Sequence, residues 1–111
     1  MYKDSQPQAK KQEVKESRIL IHDFLQVLEI QKGLSAATIR AYRSDLRQAD
    51  DFFQGMNLTL SRPEQIKKQD VHRFLGYLHR LQMNKSSMSR KISSLRGYFG
   101  FCLKQKIISQ D

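Results

Sequence analysis

Several residue types that mark common classes of protein are scarce or missing in this chain. It has no tryptophan, two prolines, five glycines and a single cysteine, Cys102. One cysteine excludes an internal disulfide and a cysteine-based metal cluster, and it is typical of a reducing compartment. No apolar run approaches the roughly 20 residues that cross a membrane, and residues 1–16 lack the apolar core of a secretory signal. We therefore expect a cytoplasmic protein without a membrane anchor.

Acidic residues are also few compared with basic ones. The 111 residues, enough for one domain, contain 20 Lys and Arg against 11 Asp and Glu, for a net charge of +9. A basic domain of this size is typical of proteins that bind nucleic acid, although composition alone also fits an ordinary soluble basic protein. The charge is concentrated in residues 85–106, which contain no acid and six bases: Lys85, Arg90, Lys91, Arg96, Lys104 and Lys106.

The spacing of apolar residues predicts an all-α fold of four helices. Residues 1–16 are predicted to be a disordered lead-in, because they are polar with mixed charge, and residues 17–108 to be the folded domain. The predicted buried stripes of the four helices are Ile21, Phe24, Leu25 and Leu28; Ile39, Tyr42, Leu46, Ala49 and Phe53; Val71, Phe74, Leu75, Leu78 and Leu81; and Met88, Ile92, Leu95 and Phe99 with Cys102 or Leu103.

Glycines and short polar residues predict where these helices begin and end. Gly33 is placed to end the first helix and Gly55 the second. Ser35 is predicted to cap the start of the second helix and Asp70 that of the third. Residues 84–87 are predicted to form the turn before the fourth helix.

The outward side of the second helix mixes small residues with arginines. It carries Ala37, Arg40, Ala41, Ser44, Gln48 and Asp51, flanked by Arg43 and Arg47. Such a side suits a helix that enters the DNA major groove, where arginine reaches guanine edges. The alternative is an ordinary solvent-facing surface, on which Asp45, Asp50 and Asp51 balance the arginines.

The outward side of the fourth helix carries Ser86, Arg90, Ser93, Gly97, Gly100 and Lys104. Glycine inside a helix costs about 1 kcal/mol relative to alanine, so Gly97 and Gly100 indicate close approach of a partner helix or of nucleic acid. Ser86 and Ser87 beside Lys85 predict a phosphate contact at the start of the helix. A serine N-cap with nothing bound is the alternative.

Catalytic and metal-binding motifs are missing from the sequence. His22, His72 and His79 do not have the spacing of a metal site, and no phosphate-binding loop, nucleophile elbow or Cys-x-x-Cys pair occurs. We expect no metal, no cofactor and no catalytic residue in this chain.

Three segments resemble the core-binding domain of tyrosine recombinases, the family of phage integrases and Xer-type recombinases. Residues 32–53, KGLSAATIRAYRSDLRQADDFF, match its opening pattern at Gly33, Leu34, Ser35, Thr38, Tyr42, Asp45 and Leu46. Residues 86–102, SSMSRKISSLRGYFGFC, resemble a second block through Arg90, Ile92, Ser93, Leu95, Arg96 and Phe99. The third predicted helix, DVHRFLGYLHRL, also resembles the family pattern, and the resemblance covers about residues 17–108.

The resemblance implies a four-helix SAM-like domain that precedes a larger catalytic domain. In that family the two domains clamp double-stranded DNA, and the catalytic residues lie in the second domain, which is expected to be missing from this chain. The fragment is expected to be a monomer that binds DNA without cutting it, and the full-length protein a tetramer on DNA. A SAM-like protein-interaction module and a stand-alone helical DNA-binding regulator remain alternatives.

The resemblance also implies that the second and fourth helices enter the major groove of a recombination half-site. The DNA-binding residues expected on the two helices and at their starts are Lys32, Ser35, Thr38, Arg40, Arg43, Ser44, Arg47, Lys85, Ser86, Ser87, Arg90 and Lys91.

Overall fold

Four α-helices make up most of the domain. The computed structural model describes residues 7–105, and within this range it contains no β-strand. The helices are α1 (Pro7–Lys32), α2 (Ala36–Gln54), α3 (Lys68–Arg80) and α4 (Lys85–Lys104), with one short 3-10 turn at Pro63–Gln65. The predicted all-α class and the number of helices are confirmed.

The first helix begins earlier than the sequence predicts. The expectation of disorder is wrong for residues 7–16, which form the first turns of α1, whereas residues 1–6 lie outside the described part of the chain. This stretch is rich in alanine, lysine, glutamine and glutamate, which favour helix, and Pro7 suits the first helical position. Residues with high helix propensity that directly precede a packed helix therefore extend it, although few of them are hydrophobic.

Two predicted helix boundaries at the connection between α1 and α2 are confirmed. Gly33 follows α1 with a φ of +60°, a conformation that glycine adopts without strain. Ser35 is the N-cap of α2, and its Oγ accepts a hydrogen bond from the backbone N–H of Thr38 at 3.2 Å. The tight connection fixes the direction in which α2 leaves α1.

The caps of α3 and α4 differ from the predicted ones. Asp70 is the third residue of α3, where its carboxylate accepts a hydrogen bond from the backbone N–H of Lys67 at 2.8 Å. Asn84 caps α4, and its Oδ1 accepts from the N–H of Ser87 at 2.8 Å. Lys85 is consequently the first residue of α4 and does not precede it. An asparagine side chain can cap a helix as well as a serine can. The serine N-cap that the sequence suggests for α4 is therefore wrong.

The core forms where α1, α2, α3 and α4 bring their apolar sides together. The buried hydrophobic residues are Ile21, Phe24 and Leu25 of α1; Ile39, Leu46, Ala49 and Phe53 of α2; Leu60 of the loop; Phe74 and Leu78 of α3; and Leu95, Tyr98 and Cys102 of α4. The prediction for α2 is confirmed apart from Tyr42, which is half-buried. Leu81 was predicted to be inward but is 47% exposed, because α3 ends one residue before it.

The buried side of α4 is rotated relative to the predicted stripe. Lys91, Ser94, Leu95, Tyr98 and Cys102 are buried, whereas Met88, Ile92 and Phe99 are only half-buried. Periodicity was misleading here because a lysine and a serine occupy inward positions. The predicted burial of Cys102 is confirmed.

Gly97 allows α1 and α4 to approach closely. A Cβ at this position would lie 2.9 Å from Cζ of Phe24, whereas a Cβ at Gly100 would meet nothing within 4 Å. Of the two expected reasons for Gly97, a partner helix is therefore correct. Phe24 also makes an edge-to-face contact with Tyr98, with ring centroids 6.0 Å apart.

Candidate nucleic-acid interface

A row of arginines lines an open groove along α2. Arg40, Arg43 and Arg47, which we call the arginine row, recur every three or four residues and therefore share one side of the helix. With Ser44 between them, they line a groove of about 1010 Å³. Tyr77 of α3 and Lys91 of α4 also line this groove, so three helices contribute to it.

The groove also has apolar lining residues. Phe52, Met56 and Tyr77 line it together with the acid Asp51, and the rings of Phe52 and Tyr77 lie 5.0 Å apart between centroids. The groove thus combines cationic groups that attract an anion with aromatic rings that give van der Waals contact.

A buried ion-pair cluster joins the arginine-bearing helix to α4. Asp45, only 2% exposed, accepts hydrogen bonds from Nε of Arg90 at 2.8 Å and from Nη2 of Arg90 at 2.9 Å. It also accepts one from Nζ of Lys91 at 2.8 Å. We call these three residues the Asp45 triad.

The triad keeps its carboxylate ionised. Burial alone would raise the pKa of Asp45, but the hydrogen bonds and positive charges of Arg90 and Lys91 outweigh it and lower the pKa below its ordinary value. The pKa of Arg90 is raised in turn by its hydrogen bond to Asp45. Two cations thus compensate one anion, and the triad carries one net positive charge next to the arginine row.

The triad changes the roles expected for two candidate DNA-binding residues. Lys91 was expected to contact DNA, but its side chain is only 8% exposed and its ammonium group faces Asp45. Arg90 was expected to lie free at the centre of an outward face, but its guanidinium pairs with Asp45 and remains 41% exposed. These pairings were not predicted from the sequence, in which Asp45 resembles the other acids that balance the arginines of α2.

The remaining candidates lie at or shortly before the starts of α2 and α4. Lys32 is the last residue of α1, and the Oγ of Ser35 donates to Oγ1 of Thr38 at 3.1 Å. Lys85 and Ser86 are exposed in the first turn of α4, and Ser87 beside them is half-buried. The structure therefore brings Arg40, Arg43, Ser44, Arg47 and Lys91 to one groove, with Arg90 beside it. Of the other six candidates, five are at helix starts, and Lys32 is at the end of α1.

A second buried carboxylate lies further along α2. Oδ1 of Asp50 accepts hydrogen bonds from the backbone N–H of Leu60 at 2.8 Å and from Oγ of Ser17 at 3.2 Å. The hydroxyl of Tyr98 donates to the carbonyl oxygen of Leu60. Burial raises the pKa of Asp50 despite the hydrogen bonds it accepts. This network holds the loop after α2 against α1 and α4.

Two further properties concern the described residues as a whole. They contain no group of three or more side chains arranged to hold a metal ion, and His22, His72 and His79 are all exposed. None of the helices is long and apolar enough to cross a membrane.

The fold and the sequence together define the class of protein. The chain belongs to the family of phage integrase N-terminal SAM-like domains, whose pattern matches residues 21–106. The resemblance to tyrosine recombinases is thereby confirmed.

Curated relatives carry the names of Xer recombinases. The chain is 33% identical to the tyrosine recombinase XerD of Staphylococcus saprophyticus and 39% identical to XerD of Shewanella oneidensis, in each case over 92 residues. It is 33% identical over 88 residues to the tyrosine recombinase XerC of Anoxybacillus flavithermus. These alignments cover 79–83% of this chain but only 29–30% of the relatives. The chain thus spans less than a third of their length, and no solved structure matches it significantly.

Proposed function

We propose that this chain is the part of a tyrosine recombinase that binds a DNA half-site, with α2 and α4 facing the major groove. The observation that carries the proposal is the arginine row of α2 beside the Asp45 triad, which fastens α4 to the same surface. An α-helix with its side chains, about 10–12 Å across, fits a major groove about 12 Å wide. The family membership supports a role in DNA recombination.

Different residues of this surface have different tasks in the proposal. Arg40, Arg43 and Arg47 reach base edges, because arginine pairs through two hydrogen bonds with guanine. Lys32, the last residue of α1, and Lys85, the first residue of α4, contact phosphates and set the register of the domain on the duplex. Ser35, Thr38, Ser44, Ser86 and Ser87 add hydrogen bonds to the backbone or to bases.

The wider role follows from the relatives and is part of the proposal. The full-length protein breaks and rejoins DNA in the cytoplasm as a tetramer, with catalytic residues in a second domain. The 111-residue chain alone binds DNA as a monomer and leaves it intact.

Salt dependence of binding tests the central claim. We expect the 111-residue chain to bind duplex DNA weakly and with an affinity that falls steeply as salt rises, because binding releases counterions from phosphates. Fluorescence anisotropy with a labelled duplex at several salt concentrations measures the slope. A flat salt response contradicts the proposal.

Alanine variants separate base contacts from phosphate contacts. The duplex is first selected by the wild-type chain from a randomised pool and then compared with a scrambled duplex. Arg40→Ala should weaken the selected duplex more than the scrambled one, by roughly 1–3 kcal/mol for a lost bidentate base contact. Lys85→Ala should weaken both equally and reduce the salt slope by about one.

A matched control is available on α4. Arg96 is exposed and lines a different groove, against α3, so Arg96→Ala removes the same charge away from the proposed interface. If Arg40→Ala and Arg96→Ala behave alike on both duplexes, the arginine row does not read bases.

A further inference from the structure

We propose that Asp45 is a positioning residue for DNA recognition, which holds the guanidinium of Arg90 in the orientation that contacts DNA. The inference rests on the proposed function and adds to it an acidic residue whose negative charge would otherwise oppose binding. It also gives Lys91 a role inside the protein, in place of the contact with DNA that the resemblance implies.

The geometry of the pair fixes the plane of the guanidinium. Nε and Nη2 of Arg90 donate to the two different oxygens of Asp45, at 2.8 Å and 2.9 Å. Two parallel hydrogen bonds between planar groups set both position and orientation, which one hydrogen bond cannot do. Arg90 therefore cannot rotate freely about its long side chain.

The pair leaves Arg90 able to bind a second partner. A guanidinium has five N–H donors, and the pair uses one on Nε and one on Nη2. The Nη1 group takes no part in it, and the side chain is 41% exposed. Arg90 can thus bind Asp45 on one edge and a phosphate or base on another.

Lys91 supports the arrangement from the inside. Its Nζ lies 2.8 Å from Oδ1 of Asp45, the oxygen that also accepts from Nη2 of Arg90. A buried cation next to the carboxylate keeps Asp45 ionised and in place, since burial by itself favours the neutral acid. Removal of Arg90 would still leave Asp45 paired.

The sign of one effect distinguishes positioning from general electrostatics. Neutralising an acid near a DNA interface should strengthen binding, because the protein becomes more positive. Neutralising an acid that orients a DNA-binding arginine should weaken binding to the preferred sequence. Asp51 provides the matched control, because it is an exposed acid on the same helix that lines the groove of the arginine row.

The experiment compares Asp45→Asn with Asp51→Asn on the selected and scrambled duplexes, at a temperature where circular dichroism shows both variants folded. Asp51→Asn should strengthen both duplexes about twofold, as expected for one more net charge at a distance in water. Asp45→Asn should weaken the selected duplex about tenfold, the scale of a lost base contact, while the scrambled duplex is not weakened. If Asp45→Asn strengthens both duplexes as Asp51→Asn does, the positioning role is wrong.

Arg90→Lys keeps the test decisive if Asp45→Asn does not fold. This variant retains the charge and the Asp45–Lys91 pair, but a lysine cannot hold a fixed plane. Binding to the selected duplex should fall about tenfold, with binding to the scrambled duplex unchanged because the net charge is the same. Equal affinities of Arg90→Lys and wild type for the selected duplex contradict the inference.

Failure of the inference differs from failure of the proposed function. If the wild-type chain enriches no duplex from the pool and its weak binding has no salt dependence, the proposed function is wrong and so is the inference that rests on it. If the wild type selects a duplex but Asp45→Asn and Arg90→Lys keep its preference, only the inference is wrong.

Discussion

Two buried aspartates on α2, Asp45 and Asp50, lie five residues apart, and their pKa values are shifted in opposite directions. Asp45 faces a lysine and an arginine from α4, and its pKa is lowered. Asp50 faces a hydroxyl and a backbone N–H, and its pKa is raised by burial. Both are almost fully buried, but Asp45 lies beside two cations, whereas Asp50 has neutral hydrogen-bond donors and the negative charge of Asp51 nearby. Two cations retain a carboxylate as an ion, whereas neutral donors do not compensate its lost hydration.

The same contrast divides α4 into two parts. Near its start, Arg90 and Lys91 attach it to α2 through charge. Further along, Gly97 and Tyr98 attach it to α1 and to the loop after α2 through close packing and neutral hydrogen bonds. The charged part lies beside the proposed DNA surface, and the neutral part supports the core.

The largest change in stability is expected when the ion pairs between α2 and the charged part of α4 are broken. Asp45→Asn should lower the free energy of unfolding by about 3 kcal/mol at pH 7, because it leaves the buried ammonium of Lys91 without its counter-ion. Urea denaturation followed by circular dichroism measures the change. Asp51→Asn, an exposed substitution, should change stability by less than about 0.5 kcal/mol. Equal stabilities of the two variants would show that Asp45 does not stabilise the fold as the counter-ion of Lys91.

A packing change tests the neutral part. Gly97→Ala should lower the free energy of unfolding by about 1–3 kcal/mol, because the new Cβ overlaps the ring of Phe24 and overpacking strains a core. Gly100→Ala has open space at its Cβ and should raise stability by up to about 1 kcal/mol through helix propensity. Thermal denaturation of the two variants, one turn apart, measures this difference. Stabilisation by Gly97→Ala would show that α1 and α4 are not in close contact there.

A smaller effect is expected at the second carboxylate. Asp50→Asn should change stability by no more than about 1 kcal/mol at pH 7, because the amide oxygen can still accept from Leu60 and Ser17 and no charge is buried. Since the folded-state pKa of Asp50 is raised above its ordinary 3.8, the wild type should gain stability relative to this variant as pH falls from 7 towards 4. Urea denaturation of both proteins at pH 7, 5 and 4 measures the gain. A relative loss on acidification would contradict the assignment.

The smallest effect concerns the rate at which a thiol reagent labels Cys102. Burial raises the pKa of Cys102 to about 11, so the folded protein should react with a maleimide far more slowly than the urea-unfolded protein at pH 7. Gly97→Ala should speed the reaction more than Asp51→Asn does, because it displaces Phe24, whose ring contacts Tyr98 and Phe101 of the same helix. Labelling of the folded wild type at the unfolded rate would show that this part of α4 is not packed.

The sequence predicted the parts of the fold that depend on local rules. The spacing of apolar residues in α2 correctly predicts that Ile39, Leu46 and Phe53 lie in the core. Ser35 caps the start of α2, as predicted from its hydroxyl group. The prediction for α4 was wrong in phase because Lys91 is inward, and a pattern of apolar residues assigns a lysine to the outside. Its burial depends on an acid 46 residues away in sequence, which no local pattern reveals.

The candidate site was predicted in outline and revised in detail. The arginine row follows from helical spacing, since Arg40, Arg43 and Arg47 must share a side. The pairing of Arg90 with Asp45 could not be derived in this way, because it depends on how α2 and α4 cross. A usable signal was nevertheless present: Asp45 directly precedes Leu46 and Lys91 directly precedes Ile92, so both charges lie next to the predicted buried stripes of their helices.

The Asp45 triad has a consequence for the entropy of binding. A long cationic side chain that is ordered only when it meets its ligand loses roughly 2 kcal/mol of rotamer freedom at that moment. Arg90 and Lys91 are held by hydrogen bonds to one carboxylate in the unbound domain, so their loss of freedom accompanies folding. At the proposed interface, DNA would then meet in Arg90 a cation that is already ordered, and less of the interaction energy would be spent on immobilising it.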